Sequence, residues 1–406
     1  MGGEHAPRER DGPAQRKPHE GPASVFMVAG EPSGDWAGAL LAEALRVRRG
    51  RLALRGIGGR RMAAAGVELF SDSSDWGAIG VFEAAAKVPR VWRVMRATMA
   101  HLAAAPPSAL VLIDCGAFNL PLARRAKTLG LRTLYYLPPG SWSRKLRGAK
   151  LRDLVEAIAT PFPWSRDLLA GGRARVEWVG HAVVEGARPR LTAEEARERY
   201  GLDRGKPVVA LAPGSRAQEI HYLLPVLVKA AARLAREWDG IQFVVPVAET
   251  VERERVRAEF ERGEVAVKLL SGMDHDALQL AEAAAVCSGT ATLEFACLGI
   301  PMVVVYRASR ATTLQYRLMR GLIGRQRWAA MPNIIAGREV VKELLGSAAS
   351  PEAIAGEVGA LLVGGARREQ VRADLREVVQ SLGPGGASER TAEMVLELMA
   401  SEEGET

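Results

Sequence analysis

Short apolar runs alternate with amphipathic stretches over almost the whole chain. "SVFMVA" (24–29) reads as a strand buried on both faces, and "WAGALLAEALRVR" after it reads as a helix. "LALRGIGG" (52–59) predicts a strand running into a glycine turn, and "ALVLID" (109–114) a further strand. A helix is expected from about Leu120 to Leu129, then strands at "RTLYYL" (132–137) and "VEAIAT" (155–160). Such a βα series predicts a parallel sheet that takes ligands at the carboxyl ends of its strands. The series breaks at the charged, turn-rich segment 186–207, then restarts. "VVALA" reads as a strand, "PGSR" as a turn and "AQEIHYLLPVLVKAAARLAREW" as a helix. "QFVVPVA", "VKLL", "AAVC" and "PMVVVY" give four more strands. The halves are alike in kind without a residue-level repeat. Together they predict two Rossmann-like, doubly wound α/β domains, residues 23–190 and 205–350, facing each other across a cleft. Residues 351–406 read as a helical C-terminal segment, and the polar, Pro/Gly-rich residues 1–22 as a disordered tail.

Composition narrows the class. The 406 residues are 48% hydrophobic and 25% charged, the balance of a soluble globular protein. Cys115, Cys287 and Cys297 form no CxxC pair and each lies in an apolar run, which suggests free thiols in a reducing compartment. The six histidines are scattered without ligand spacing, which argues against a structural zinc site, and no cofactor is expected. The net charge is +8, carried mostly by arginine, yet no finger pattern or RNA-binding aromatic signature accompanies it. Nucleic acid is therefore not an expected partner. No apolar run is long enough to span a bilayer, and a cytoplasmic location is expected. Two basic amphipathic stretches, 87–102 and 310–328, would suit an anionic membrane surface. The alternative for each is a core-facing helix with a solvated basic face.

Four places carry candidate chemistry. The first is "GEPSGD", where Gly30, Glu31, Ser33, Gly34 and Asp35 crowd the turn after the first strand. It is neither a GxGxxG fingerprint nor a P-loop, and Ser33 or Asp35 can also serve as helix caps. The second is Asp114, at the end of an apolar strand and so on the ligand-binding edge of a sheet. Third, Gly214, Ser215 and Arg216 end the first strand of the second half, a combination suited to phosphate, with Glu219 as the alternative partner for the arginine. Fourth, Ser288, Gly289 and Thr290 precede a helix carrying Glu294; small residues there admit a diphosphate, and the glutamate could accept from ribose hydroxyls.

The segments "VAGEPSGDWAGALL", "GIGGRRMAAAGVELF", "IDCGAFN", "WVGHAVVE", "LAPGSRAQEI", "SGTATLEFACLGIPMVVVYR" and "MPNIIAGREVVKELL" occur in one order, and in that order the chain resembles the lipid-A-disaccharide synthase family. The resemblance runs from about Ser24 to the C-terminal helices. It implies a GT-B glycosyltransferase, inverting and metal-independent. Such an enzyme moves 2,3-diacylglucosamine from its UDP derivative to the 6-hydroxyl of 2,3-diacylglucosamine 1-phosphate, forming a β-1,6 disaccharide and UDP. The family works at the cytoplasmic face of the inner membrane and can form homodimers. By resemblance, Asp114 and Arg216 match the essential aspartate and arginine, and Ser288, Gly289, Thr290 and Glu294 match the UDP-binding loop and helix. Asn333 matches the family's "PN" asparagine. Gly30, Glu31, Ser33, Gly34, Asp35 and Asn119 fall on the acceptor side. Three positions depart from the pattern: Pro32 in "GEPSGD", Ala117 in "IDCGAFN", and "LPPGSWSR" (137–144). All three lie on the acceptor side, which leaves a UDP-sugar enzyme with another acceptor, or a non-catalytic nucleotide-sugar binding relative, as alternatives.

Overall fold

A computed structural model of the chain describes residues 23–73, 76, 81–141, 151–308 and 328–400. Among the described residues thirteen strands build two sheets, every pairing in them parallel. The first sheet contains β1 (Ser24–Ala29), β2 (Ala53–Gly58), β3 (Glu68–Asp72), β4 (Ala109–Ile113), β5 (Thr133–Tyr136), β6 (Ala157–Thr160) and β7 (Arg175–Trp178), in the order β3-β2-β1-β4-β5-β6-β7. In the second are β8 (Val208–Ala212), β9 (Gln242–Val247), β10 (Val267–Ser271), β11 (Ala283–Cys287), β12 (Met302–Tyr306) and β13 (Lys342–Leu345), ordered β10-β9-β8-β11-β12-β13. Each chain path runs outward from its first strand, returns, and continues on the other side. The direction therefore reverses between β1 and β4, and again between β8 and β11. Ligands of open α/β sheets bind at such reversals.

The central strands are the apolar runs of the sequence. β4, β8 and β11 are buried at every position, as helices on both faces require. β3, β7 and β13, which no apolar run announces, are all edge strands. "ELFSD", "RVEW" and "KELL" keep charges because one long side of each strand meets solvent.

Two helices start earlier than their patterns suggest. The first spans Pro32–Arg48, so "PSGD" is its opening turn rather than a loop. Proline is at home there, since the first helical N–H has no intrahelical acceptor to lose. The second spans Gly116–Thr128 with Pro121 inside it. That proline removes the bond to the carbonyl of Ala117, an exposed residue whose carbonyl can turn to water.

The C-terminal helices divide between the two sheets. Ile354, Val358 and Leu361 of helix Pro351–Leu362 pack into one core of the second sheet. Val395 and Met399 of helix Ala387–Ala400 return to the first sheet and pack with Val25, Val111 and Leu134. The chain thus crosses between the sheets twice, and the crossings are tied together. The N–H of His181 donates to the Leu382 carbonyl at 3.1 Å, and Gly386 N–H donates to Glu185 Oε2 at 2.8 Å. No helix among the described residues is long and apolar enough to cross a membrane.

In helix Val81–Ala104, Met95 and Leu102 face the core, while Trp92 is 54% exposed with the Arg96 guanidinium 4.8 Å from its ring centroid. The helix therefore combines a core-facing stripe with an outer basic and aromatic face. Of the other basic stretch, all but residue 328 lies outside the described residues, as do positions 142–144 of "LPPGSWSR".

Candidate functional site

The register of β1 on β4 sets Ala29 opposite Ile113, so Gly30 and Asp114 leave the sheet side by side. Gly30 is packed tightly, since a Cβ there would lie 2.3 Å from Cys115 Sγ and would have to displace that thiol. Asp114 and Cys115 both take left-handed backbone angles, φ 49° and 40°. Two consecutive non-glycine residues in that region are strained, and buried side chains hold them there. Tyr135 Oη donates to the Asp114 carbonyl at 2.7 Å. The Asn119 amide donates to the same carbonyl at 3.1 Å, and to Ile113 O and Val28 O at 3.0 and 3.2 Å. The Asp114 carboxylate opens on the cleft, with the Ser33 hydroxyl 3.4 Å from its Oδ2. Burial, reinforced by the negative charge of Glu31, pushes its pKa up to about 6; Ser33 and Arg216 oppose the shift without cancelling it.

Across the cleft, Gly214 turns the chain after β8 at φ 105°, and a Cβ on it would meet Glu219 Oε2 at 2.3 Å. Glu219 is buried, 4% exposed, and accepts from Ser215 N–H at 2.9 Å and Arg216 N–H at 3.3 Å. Its other oxygen accepts from Arg216 Nη1 at 3.1 Å. The second arm of the guanidinium, Nη2, reaches over the cleft to Glu31 Oε2 at 2.9 Å. One arginine thus joins the turns after β1 and β8, and Asp114 lies in the same charge cluster.

After β11, Ser288 Oγ donates to the Ala329 carbonyl at 2.8 Å, fixing the start of the Ser288–Thr290 loop. Glu294 is buried and lies 2.8 Å from His275 Nε2. The His275 ring in turn faces Trp36 of the first half, centroids 6.3 Å apart.

The cleft has a volume of about 340 Å³. Glu31, Ser33, Asp35 and Asp114 line one wall; Gly214, Ser215, Arg216, Glu219, the Ser288–Thr290 loop and Glu294 line the other. Gly30 and Gly34 lie behind the lining. So do the two asparagines, both fully buried. Asn119 braces the Asp114 backbone. Asn333 accepts from the N–H groups of Val340 and Val341 at 2.7 and 2.9 Å, and donates to Val341 O and Glu343 Oε1, both at 2.9 Å. Asp35 reaches the cleft wall, but its carboxylate is engaged by N–H groups of Gly59, Arg61 and Met62 at 2.6, 3.1 and 3.1 Å. It caps the short helix Arg60–Ala64 rather than its own.

Several lining residues escaped the sequence reading: Trp36, Arg60, Arg61, Met273, Glu249 and Thr250. The signal for the arginines was present, since "GIGGRRM" sets two cations directly after the glycine turn that ends β2. His275, which touches Glu294, had no such marker. Among the described residues no three His, Cys, Asp or Glu side chains converge as a metal donor set. The three cysteines are free thiols, and burial pushes Cys115 and Cys297 up to about 12.

This architecture is shared by known proteins. The fold is similar to UDP-GlcNAc 2-epimerase from Neisseria meningitidis bound to UDP-GlcNAc, with TM-score 0.64, 12% identity, and coverage of 92% of this chain and all of that one. It is also similar to CalG4, the calicheamicin glycosyltransferase, with TM-score 0.58, 16% identity and coverage of 95% and 100%. At these identities the likeness speaks for the two-domain GT-B fold. Sequence relatives are much nearer. The chain is 39% identical to lipid-A-disaccharide synthase from Myxococcus xanthus over 379 residues, 93% of this chain and 98% of that one. Its identity to the enzyme of the same name from Geobacter sulfurreducens is 37%, over 93% and 98% of the two chains. The family model described as lipid-A-disaccharide synthetase matches residues 25–397, from the first residues of β1 to the helix that returns to the first sheet. The chain therefore belongs to the lipid-A-disaccharide synthase family of GT-B glycosyltransferases.

Proposed function

We propose that the protein transfers 2,3-diacylglucosamine from UDP to the 6-hydroxyl of 2,3-diacylglucosamine 1-phosphate, with inversion, releasing UDP. The observation that carries this reading is the meeting of Asp114 and Arg216 in one cleft, each beside the reversal point of its sheet. Asp114 is the base. Its carboxylate takes the proton of the acceptor 6-hydroxyl as that oxygen attacks C1 of the donor sugar and the C1–O bond to UDP breaks. A carboxyl group with a pKa of about 6 is ionised near neutrality and is more basic than an ordinary aspartate, which suits proton abstraction. Arg216 neutralises the diphosphate as its charge develops, in place of a metal. To do so its Nη2 exchanges Glu31 for a phosphate oxygen, while Nη1 stays on Glu219. The Ser288–Thr290 loop receives the diphosphate beside it, and Glu294 accepts from the ribose hydroxyls.

The acyl chains of both sugars require access to a membrane. Trp92, Arg93 and Arg96, exposed on the outer face of helix Val81–Ala104, supply a basic aromatic surface suited to anionic lipid on the cytoplasmic side. Self-association belongs to the same proposal and rests on the family likeness.

Incubation of purified protein with UDP-2,3-diacylglucosamine and the monosaccharide 1-phosphate, followed by mass spectrometry, tests the reaction. The expected products are the disaccharide 1-phosphate and UDP in equal amounts. Hydrolysis of the donor without disaccharide, or UDP-sugar binding with no UDP release, would overturn it.

A further inference from the structure

The cleft contains two arginines that the reaction as described does not use. Arg60 and Arg61 follow the glycine turn after β2 and line the wall that also holds Asp114. The Arg60 side chain is 77% exposed, and its nearest carboxylate oxygen, Glu249 Oε2 on the opposite wall, is 4.0 Å away. The Arg61 guanidinium lies 5.9 Å from the Trp36 ring centroid and, among the described residues, has no carboxylate partner. Fold-supporting arginines of the same half look different: Arg46 donates to Gly66 O at 2.6 Å and Arg55 pairs Glu68 at 2.8 Å.

We infer that Arg60 and Arg61 form the subsite for the anomeric phosphate of the acceptor, a phosphate monoester. This rests on the transferase reading above and assigns one end of its acceptor. Of the main-chain N–H groups at the start of helix Arg60–Ala64, Asp35 already takes those of Gly59, Arg61 and Met62. Anion recognition on this wall therefore falls to the two guanidinium forks, which match phosphate oxygens bidentately. The placement also fits the substrate. Ser33 touches the Asp114 carboxylate, and Asp35, two residues on in the same helical turn, grips the backbone of Arg61. Base and arginine pair are thus anchored to one helical turn and line the same wall of the cleft. The acceptor likewise carries its reacting 6-hydroxyl and its 1-phosphate at opposite ends of one pyranose.

The test compares kcat/KM for 2,3-diacylglucosamine 1-phosphate and for phosphate-free 2,3-diacylglucosamine, in the wild type and in Arg60→Gln, Arg61→Gln and the double variant. Charge-assisted hydrogen bonds of this type predict a wild-type preference for the phosphorylated acceptor of roughly 100-fold, shrinking below about tenfold in the double variant. Arg61→Lys should fall between, because it keeps the charge and loses the fork. The donor KM and the Kd for UDP should stay within about twofold of wild type if Arg216 and the loops carry the donor. A double variant that keeps the wild-type preference overturns the assignment. So does a loss of UDP affinity matching the loss of acceptor, which would place the arginines on the donor diphosphate. A parallel calorimetric titration with glucosamine 1-phosphate and with glucosamine, both at saturating UDP, reads the subsite without turnover. There the wild type should bind the phosphorylated sugar more tightly and the double variant should not. Should the wild type form no disaccharide yet show that difference, the transferase reading fails and the phosphate subsite stands; equal binding by both proteins sinks the subsite alone.

Discussion

Asp114→Asn should cut turnover sharply and stabilise the fold at neutral pH. The carboxyl group is held at a pKa of about 6 against an ordinary 3.8, so its ionised form is disfavoured in the folded protein. Each pKa unit corresponds to 1.36 kcal/mol, giving about 3 kcal/mol at most, and less to the extent that water in the cleft screens the charge. The sign follows from proton binding. Between pH 4 and 6 the native state holds a proton that the unfolded chain has released, so stability falls as pH rises through this window. Above about 6 both states are ionised and the whole penalty is present; below 4 it is gone. Asparagine removes the charge, keeps the shape, and tolerates φ near 49° as readily as aspartate. Urea unfolding of wild type and variant from pH 4.5 to 8 should show the variant ahead by about 2–3 kcal/mol at pH 7.5, the two converging toward acid. Disaccharide formation by the variant should fall by about 10²–10⁴, the usual worth of a general base, and wild-type kcat/KM should rise with pH to a plateau above about 6. A variant no more stable than wild type at pH 7.5, or one retaining most of the activity, would refute the assignment of Asp114 as a desolvated base.

Glu31→Gln should tighten UDP binding measured by calorimetry, because Arg216 loses the carboxylate that competes with the diphosphate, and should move the pH midpoint of kcat/KM toward acid, since the Glu31 charge helps to raise Asp114. Arg216→Lys should weaken UDP binding about tenfold or more in the same assay, as a single ammonium cannot serve Glu219 and a phosphate oxygen together. Gly30→Ala should cost about 1–3 kcal/mol in urea unfolding by forcing Cys115 aside, and Cys115→Gly in the same chain should restore most of it, glycine being at ease at φ 40°. Asn333→Ala should destabilise by about 2–4 kcal/mol by leaving the Val340 and Val341 backbone groups buried without partners, with kcat per folded molecule near wild type. Trp92→Ala combined with Arg93→Gln should reduce sedimentation with phosphatidylglycerol vesicles while leaving UDP affinity unchanged.

The parts of this fold legible in the sequence are those where one physical demand dominates. β4 and β11 sit mid-sheet with helices on both faces, so only apolar residues fit, and the short runs "ALVLI" and "AAAVC" meet that demand at every position. β3, β7 and β13 answer to two demands at once, pairing on one side and solvation on the other, and the resulting mixture of charges and apolar residues has no period to read. The site divides along a similar line. Glu31, Asp114, Arg216 and the Ser288–Thr290 loop follow directly from the ends of the apolar strands, and strand ends at a reversal point must face the cleft. Asn119 and Asn333 sit one turn into helices, where side-chain direction depends on the helical phase. Pro121 and Pro332 both lie within two residues of them and mark a helix start only roughly, so a cleft-facing asparagine and a core-facing one look the same in sequence. Arg60 and Arg61 show the converse. Two cations after a glycine turn read as solvated surface, and only the folded cleft sets Glu249 and Gly272 on the facing wall. Ala117, one of the three departures from the family pattern, is exposed on helix Gly116–Thr128 and makes no part of the cleft lining. The departure at Ala117 therefore leaves the Asp114–Arg216 arrangement intact, and under the proposed subsite acceptor recognition rests on the wall holding Ser33, Asp35, Arg60 and Arg61, of which Asp35 fixes the Arg61 backbone.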